Sequence, residues 1–325
     1  MTASTPHCLL GLEPDNLLAF LALLGLLRAL EKADDALKPR ISWDLDQTPT
    51  RPTLHLSRSM TQDEIAGIAE EGLLSIASTH DFGGRNGADY SREECREVLT
   101  REAKAARQDS RLSVDLHAAV MTDAVLRAGK DQVSPTPLCL MFGQGHQHFL
   151  QRLECVPRGS ASKKDESTGS VTLSEALFHP WQRKDKTFSF RWDPAEDVRY
   201  ALMAGNPKNP RYKPGTQHGA NRLAAIGVGV LSVSPGLGDD RRSRCLIPGG
   251  DFSDHQFSFA WPIWTAPATL TAILAMLSHP RLREPRALER FGVRHVMVAR
   301  RISVGKYMNV SQARPQLSES GSVSP

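Results

Sequence analysis

Residues Leu17 to Ala33 read Leu-Leu-Ala-Phe-Leu-Ala-Leu-Leu-Gly-Leu-Leu-Arg-Ala-Leu-Glu-Lys-Ala. The turn Glu13-Pro-Asp-Asn16 precedes them, with Asp15 or Asn16 as a helix N-cap. The segment therefore reads as a helix, and it is apolar on nearly all sides. A surface helix carries one apolar stripe, so a helix without a polar face belongs inside a core or against a partner. Leu17 to Leu30 falls short of the roughly 20 residues that cross a bilayer, and no Lys or Arg precedes it to form the basic region of a signal peptide. Gly25 costs helix stability in mid-helix and so marks a close crossing with another element. A chain of 325 residues can surround such a helix, in one large domain or two ordinary ones.

Around this helix the pattern is α+β. Cys8–Leu12, Pro39–Leu45 and Pro52–Leu56 read as short strands. Capping boxes at Thr61…Glu64 and Ser91…Glu94 open helices running to about Ser78 and Gln108, with a Gly-rich loop from His80 to Asp89 between them. A further helix is expected over Val114–Arg127, so residues 61–128 form a mainly helical section. Pro135–Phe142 reads as a strand with a Pro-marked start, Phe188–Trp192 alternates like a strand, and Pro194–Met203 reads as a helix capped by Asp193. Arg244–Ile247 and Gln256–Trp261 are strands able to pair, a helix follows from Thr265 or Pro267 to Ser278, and Val293–Arg300 is the last strand. The expected fold is thus a mixed antiparallel sheet with packed helices. The polar stretch Gly159–Ser170 suggests a division into 1–158 and a basic 171–310, with a disordered Ser-rich tail over 311–325.

Charge is unevenly placed. Residues 1–130 carry 15 Lys/Arg against 20 Asp/Glu, whereas residues 131–325 carry 25 against 16. Between Gly205 and Gly238 there are four basic residues, Lys208, Arg211, Lys213 and Arg222, and no acid. Between Arg294 and Arg314 there are five basic residues and again no acid. Such runs suit a polyanion. Lys208, Arg211 and Lys213 are spaced by loop prolines and flank Tyr212, so phosphate contacts and base stacking are both available to that loop. Arg300, Arg301 and Lys306 follow the last strand, and in extended backbone Arg300 and Arg301 point to opposite faces. Residues Gly83–Gly87 form a second candidate contact loop.

Competing chemistries are poorly supplied. Gly227-Val-Gly229 lacks the third glycine of a dinucleotide fingerprint, and nothing matches a P-loop, so no nucleotide cofactor is expected. The five cysteines are far apart with no Cys-x-x-Cys pair, which argues against a zinc ribbon and for free thiols in a reducing cytoplasm. His146 and His148 near Cys139 and Cys155 lack a paired thiol or carboxylate at metal spacing. Asp251, Asp254 and His255 form the acid/His cluster of the basic half. They could hold Mg²⁺ for a nuclease or processing enzyme, and turn propensity explains them equally well. His80-Asp81 matches the metal-binding pair of phosphohydrolases only as a dipeptide.

The opening Leu10-Gly-Leu-Glu-Pro-Asp-Asn-Leu-Leu-Ala-Phe-Leu-Ala-Leu-Leu-Gly-Leu-Leu-Arg28 resembles the N-terminal segment of CRISPR-associated subunits of type I-G (formerly I-U) systems. His218-Gly-Ala-Asn-Arg-Leu-Ala224 and Trp261-Pro-Ile-Trp264 are similar to later motifs of the same group. The resemblance implies a compact large-subunit or accessory member of an RNA-guided surveillance complex. Such a subunit would be non-catalytic, would contact guide RNA, target DNA or neighbouring effector subunits, and would leave cleavage to a separate helicase-nuclease.

Overall fold

A computed structural model describes residues 5–108, 111–140, 148–160, 173–185, 187–196, 215–253, 256–284, 286–304 and 307–316. The chain is an α+β protein with antiparallel sheets. No helix among the described residues is long and apolar enough to cross a membrane.

Strand β1 (His7–Cys8) leads into helix α1 (Leu17–Ala33), whose first turn is capped by the Asn16 side chain accepting from the Ala19 N–H. Every residue of α1 from Leu17 to Leu30 is buried, as its lack of a polar face requires. Strands β2 (Arg40–Asp44) and β3 (Arg51–His55) complete a sheet of order β1-β3-β2. Helices α2 (Gln62–Ala77) and α3 (Arg92–Ala106) both open on reciprocal capping boxes, Thr61 with Glu64 and Ser91 with Glu94.

The chain continues through α4 (Leu112–Val120), β4 (Met121–Leu126), β5 (Val133–Pro135), α5 (Phe149–Cys155), α6 (Leu173–Phe178) and α7 (His218–Gly227). Next come β6 (Ser234–Leu237), β7 (Ser243–Leu246), β8 (Gly250–Ser253), β9 (Gln256–Trp264) and α8 (Leu270–Leu277). Strands β10 (Val293–Val304), β11 (Tyr307–Val310) and β12 (Arg314–Pro315) close the described fold. The main sheet runs β11-β10-β9-β8, with β12 also paired to β10.

Close approach at three glycines sets the helical packing. A Cβ on Gly25 would lie 1.9 Å from the Leu223 carbonyl oxygen of α7, and one on Gly227 would lie 2.2 Å from that of Leu21. On the other flank, a Cβ on Gly72 of α2 would sit 1.9 Å from the Ala29 carbonyl oxygen. Helix α1 is therefore gripped by α2 and α7, and Phe20 stacks on Trp261 of β9 with ring centroids 5.4 Å apart. The Trp264 indole N–H donates to the Ile41 carbonyl at 2.7 Å and joins the two sheets.

Several elements differ from expectation for identifiable reasons. The helix expected over Val114–Arg127 stops at Val120, and Met121–Leu126 becomes a strand because β5 pairs with it. Phe188–Trp192 joins no sheet. Arg191 there takes a left-handed φ of 65°, and Phe190 and Trp192 stack with centroids 4.3 Å apart in the core. The tail expected to be disordered from Ser311 is instead ordered through Gln316. The Ala313 N–H donates to the Asp15 carbonyl at 2.8 Å, and Arg314–Pro315 pairs with Met297–Val298. Most of the expected boundary at 159–170 and of the helix expected at Pro194–Met203 lies outside the described residues.

Candidate nucleic-acid interface

Strand β10 is long because its two halves have different partners. Val293 to Arg300 is registered against β9, ending with Arg300 opposite Ser258. Arg301 to Val304 is registered against β11, Arg301 opposite Val310. Val298 and Ala299 are still buried where β9 covers the strand. That pairing ends at Arg300, which is exposed, and the next residue, Arg301, is half-buried. The alternation foreseen for this pair is present.

Arg300, Arg301 and the neighbouring Arg314 line a groove of about 990 Å³ whose rim also includes Asp15, Gln256 and Gln312. Ser311 ties the wall together: its hydroxyl accepts from the Arg300 N–H at 3.0 Å, and its own N–H donates to the Arg300 carbonyl at 2.8 Å. Asp15 is the carboxylate of this groove, and it accepts a hydrogen bond from the Gln312 amide. Among the described residues no carboxylate lies within ion-pair distance of Arg300, Arg301 or Arg314. The Arg301 guanidinium lies 5.9 Å from the ring centroids of both Phe252 and Phe257. Burial lowers its pKa from the ordinary arginine value, and the charge of nearby Arg244 acts in the same direction. A guanidinium crowded in this way gains from an added anion.

Arg222 requires a correction. It was expected to contact a polyanion at the surface, but its side chain is 4% exposed. Both terminal nitrogens donate to the Glu70 carboxylate, and Nε donates to the Pro157 carbonyl at 3.1 Å. Arg222 lies on α7, whose residues are all buried, so the charge serves to join α7 to α2. Lys208, Arg211, Tyr212, Lys213 and Lys306 lie outside the described residues.

The loop at Gly83–Gly87 is pinned from within. Gly83 and Gly84 adopt φ of 63° and 75°, and the Asp81 carboxylate accepts from the Gly83 N–H at 2.8 Å. Arg85 is ion-paired with Glu94 and lies 4.3 Å from the Tyr90 ring centroid. Its exposed surface is mainly glycine and Asn86.

The groups considered for hydrolytic chemistry are separated or already used. Asp251 on β8 faces Arg283, 3.8 Å away, and Asp254 and His255 lie outside the described residues. His80 is buried with Nδ1 2.8 Å from the Leu153 carbonyl oxygen, and burial pushes its pKa down to about 4. No group of three metal-ligating side chains occurs among the described residues.

Arg314 and Arg244 were within reach of sequence reasoning but were not singled out. Arg314 closes the second acid-free run, and the assumption of a disordered tail hid it. Comparison with protein-family models, with curated proteins and with solved structures finds no match.

Proposed function

We propose that this chain is a non-catalytic, cytoplasmic nucleic-acid-binding subunit of a type I CRISPR surveillance complex, holding guide RNA or target DNA by its phosphates. The observation that carries this reading is the groove lined by Arg300, Arg301 and Arg314, none of which is ion-paired to a carboxylate among the described residues. Guanidinium forks match phosphate geometry and bind it without reading sequence, which suits a complex in which base pairing does the reading. The sequence resemblance of the segment around α1 supports the same class, and free thiols at all five cysteines agree with a reducing compartment. Neighbouring effector subunits are the expected protein partners.

The test is salt-dependent binding of single-stranded and duplex nucleic acid. Each lost phosphate contact removes about 0.7–0.9 from the slope of log affinity against log salt. Reversing Arg300 and Arg314 together (Arg300→Glu, Arg314→Glu) should therefore flatten the slope by up to about 2 and weaken low-salt binding about tenfold or more. Unchanged affinity and slope would remove the groove from the account.

A further inference from the structure

Arg301 also lines a second pocket, of about 400 Å³, together with Arg127, Thr136, Arg244, Phe252 and Met308. We infer that this pocket takes a single nucleotide, its phosphate against the arginines and its base against the apolar wall. For a nucleotide of a bound strand as its source, the inference rests on the groove reading above.

Three observations carry it. First, three arginines line one small space. Arg244 is paired with Asp240 at 2.7 Å and Arg127 donates to Gln132 at 3.0 Å, but Arg301 has no carboxylate partner among the described residues. An anion placed there would relieve the repulsion between Arg244 and Arg301. Second, Phe252 stands between the two, with the Arg244 and Arg301 guanidiniums 5.6 and 5.9 Å from its ring centroid. Phe252, Met308, Pro135 and Pro137 give the pocket an apolar wall beside its charge. A simple inorganic anion would leave that wall unused, whereas a phosphate attached to a flat heterocycle uses both. Third, 400 Å³ is the size of a small-molecule site, and Arg301 is common to this pocket and the long groove. A nucleotide of a strand bound along the groove is one source for it. A free mononucleotide offers the same chemistry.

The experiment uses the full chain and three probes: AMP, inorganic phosphate, and a labelled single-stranded oligonucleotide. AMP affinity should fall about tenfold or more in Arg244→Met, and by a similar factor in Phe252→Leu. It should stay within about threefold of wild type in Arg300→Glu, which touches only the groove. Arg244→Lys keeps a cation beside Asp240 and serves as the folded control should the methionine variant fail to fold; it should retain part of the binding. A strand source is indicated if AMP binds weakly but the pocket variants still weaken the oligonucleotide about tenfold. Phosphate binding as tightly as AMP would overturn the nucleotide assignment. The pocket is likewise overturned if neither AMP nor the oligonucleotide responds to Arg244 or Phe252. If the oligonucleotide ignores Arg300→Glu while AMP still responds to Arg244, the groove reading falls and the pocket stands.

Discussion

At Arg222 a full positive charge sits inside the protein, and its environment decides what each change there should cost. The arginine is 4% exposed and its partner Glu70 is 34% exposed. Removing Glu70 takes the carboxylate from a guanidinium that cannot reach water, whereas removing Arg222 leaves a carboxylate that can. Glu70→Ala should therefore cost about 3 kcal/mol and Arg222→Met about 1–2 kcal/mol, read from urea melts. The reverse order would show that α7 depends on the arginine for packing rather than for charge. Two of the buried histidines, His80 and His218, make a second prediction. Burial, helped by Arg28 at His80 and by Arg222 at His218, pushes both pKa values down to about 4 from an ordinary 6.5. Both rings are thus neutral in the folded chain, and the unfolded chain takes up protons first as pH falls. Their contribution to stability is fully present above about pH 6.5 and is lost as pH drops through about 4. The urea midpoint should fall steeply across that window, and His80→Leu should flatten the fall; a midpoint constant from pH 7 to pH 4 contradicts the assignment. Residue type alone could not separate Arg222 from Arg300. Both are arginines in acid-free runs, and what distinguishes them is Glu70, 152 positions away from Arg222 in the chain.

Among the elements, α1 shows how a helix of poor local propensity at one position is the right helix for its surroundings. Alanine at position 25 would gain up to about 1 kcal/mol of helix propensity in an isolated peptide. In the protein its Cβ would meet the Leu223 carbonyl oxygen at 1.9 Å, backbone against backbone, and no side chain can move to make room. Gly25→Ala should therefore destabilise by about 2 kcal/mol or more. Gly67 of α2 is the control: nothing lies within 4 Å of a Cβ built there, so Gly67→Ala should stabilise by about 0.5–1 kcal/mol. Thermal melts of the two variants should move in opposite directions, and equal shifts would deny the close crossing. The same contrast explains which elements were legible beforehand. The capping boxes at Thr61 and Ser91 start α2 and α3 within a residue of expectation, because the capping residues, three apart, carry the whole signal. Gly25 could be read because only a close neighbour justifies glycine there. Met121–Leu126 and Phe188–Trp192 were misread because their state depends on distant partners. One pairs with β5, and the other stacks Phe190 on Trp192 with no strand beside it.

For the whole molecule the question is whether the acidic and basic halves stand apart. One hydrophobic cluster runs from Leu9 to Ala313 and includes α1, α2, α7 and β9. Backbone and indole hydrogen bonds tie the same region together. The Leu18 N–H donates to the Trp192 carbonyl at 3.1 Å, the Trp261 indole to the Pro14 carbonyl at 3.0 Å, and the Ala313 N–H to the Asp15 carbonyl. That last bond also fixes the groove: it holds the segment carrying Ser311 and Arg314 beside β10, so the N-terminal turn helps to shape the basic surface. A fragment of residues 1–158 would keep α1 but lose α7 and β9, exposing Phe20 and the leucines that face them. Each such side chain contributes about 1.5–3 kcal/mol of burial, and a domain's whole net stability is only about 5–15 kcal/mol. Losing four or five of them removes all of it. The fragment should therefore show no cooperative urea transition and should bind a hydrophobic dye, while the full chain unfolds in one step by both fluorescence and circular dichroism. A cooperative transition in the 1–158 fragment would mean that α1 can be covered without α7. In that case the arginine groove would have to be treated as the property of a separable C-terminal unit.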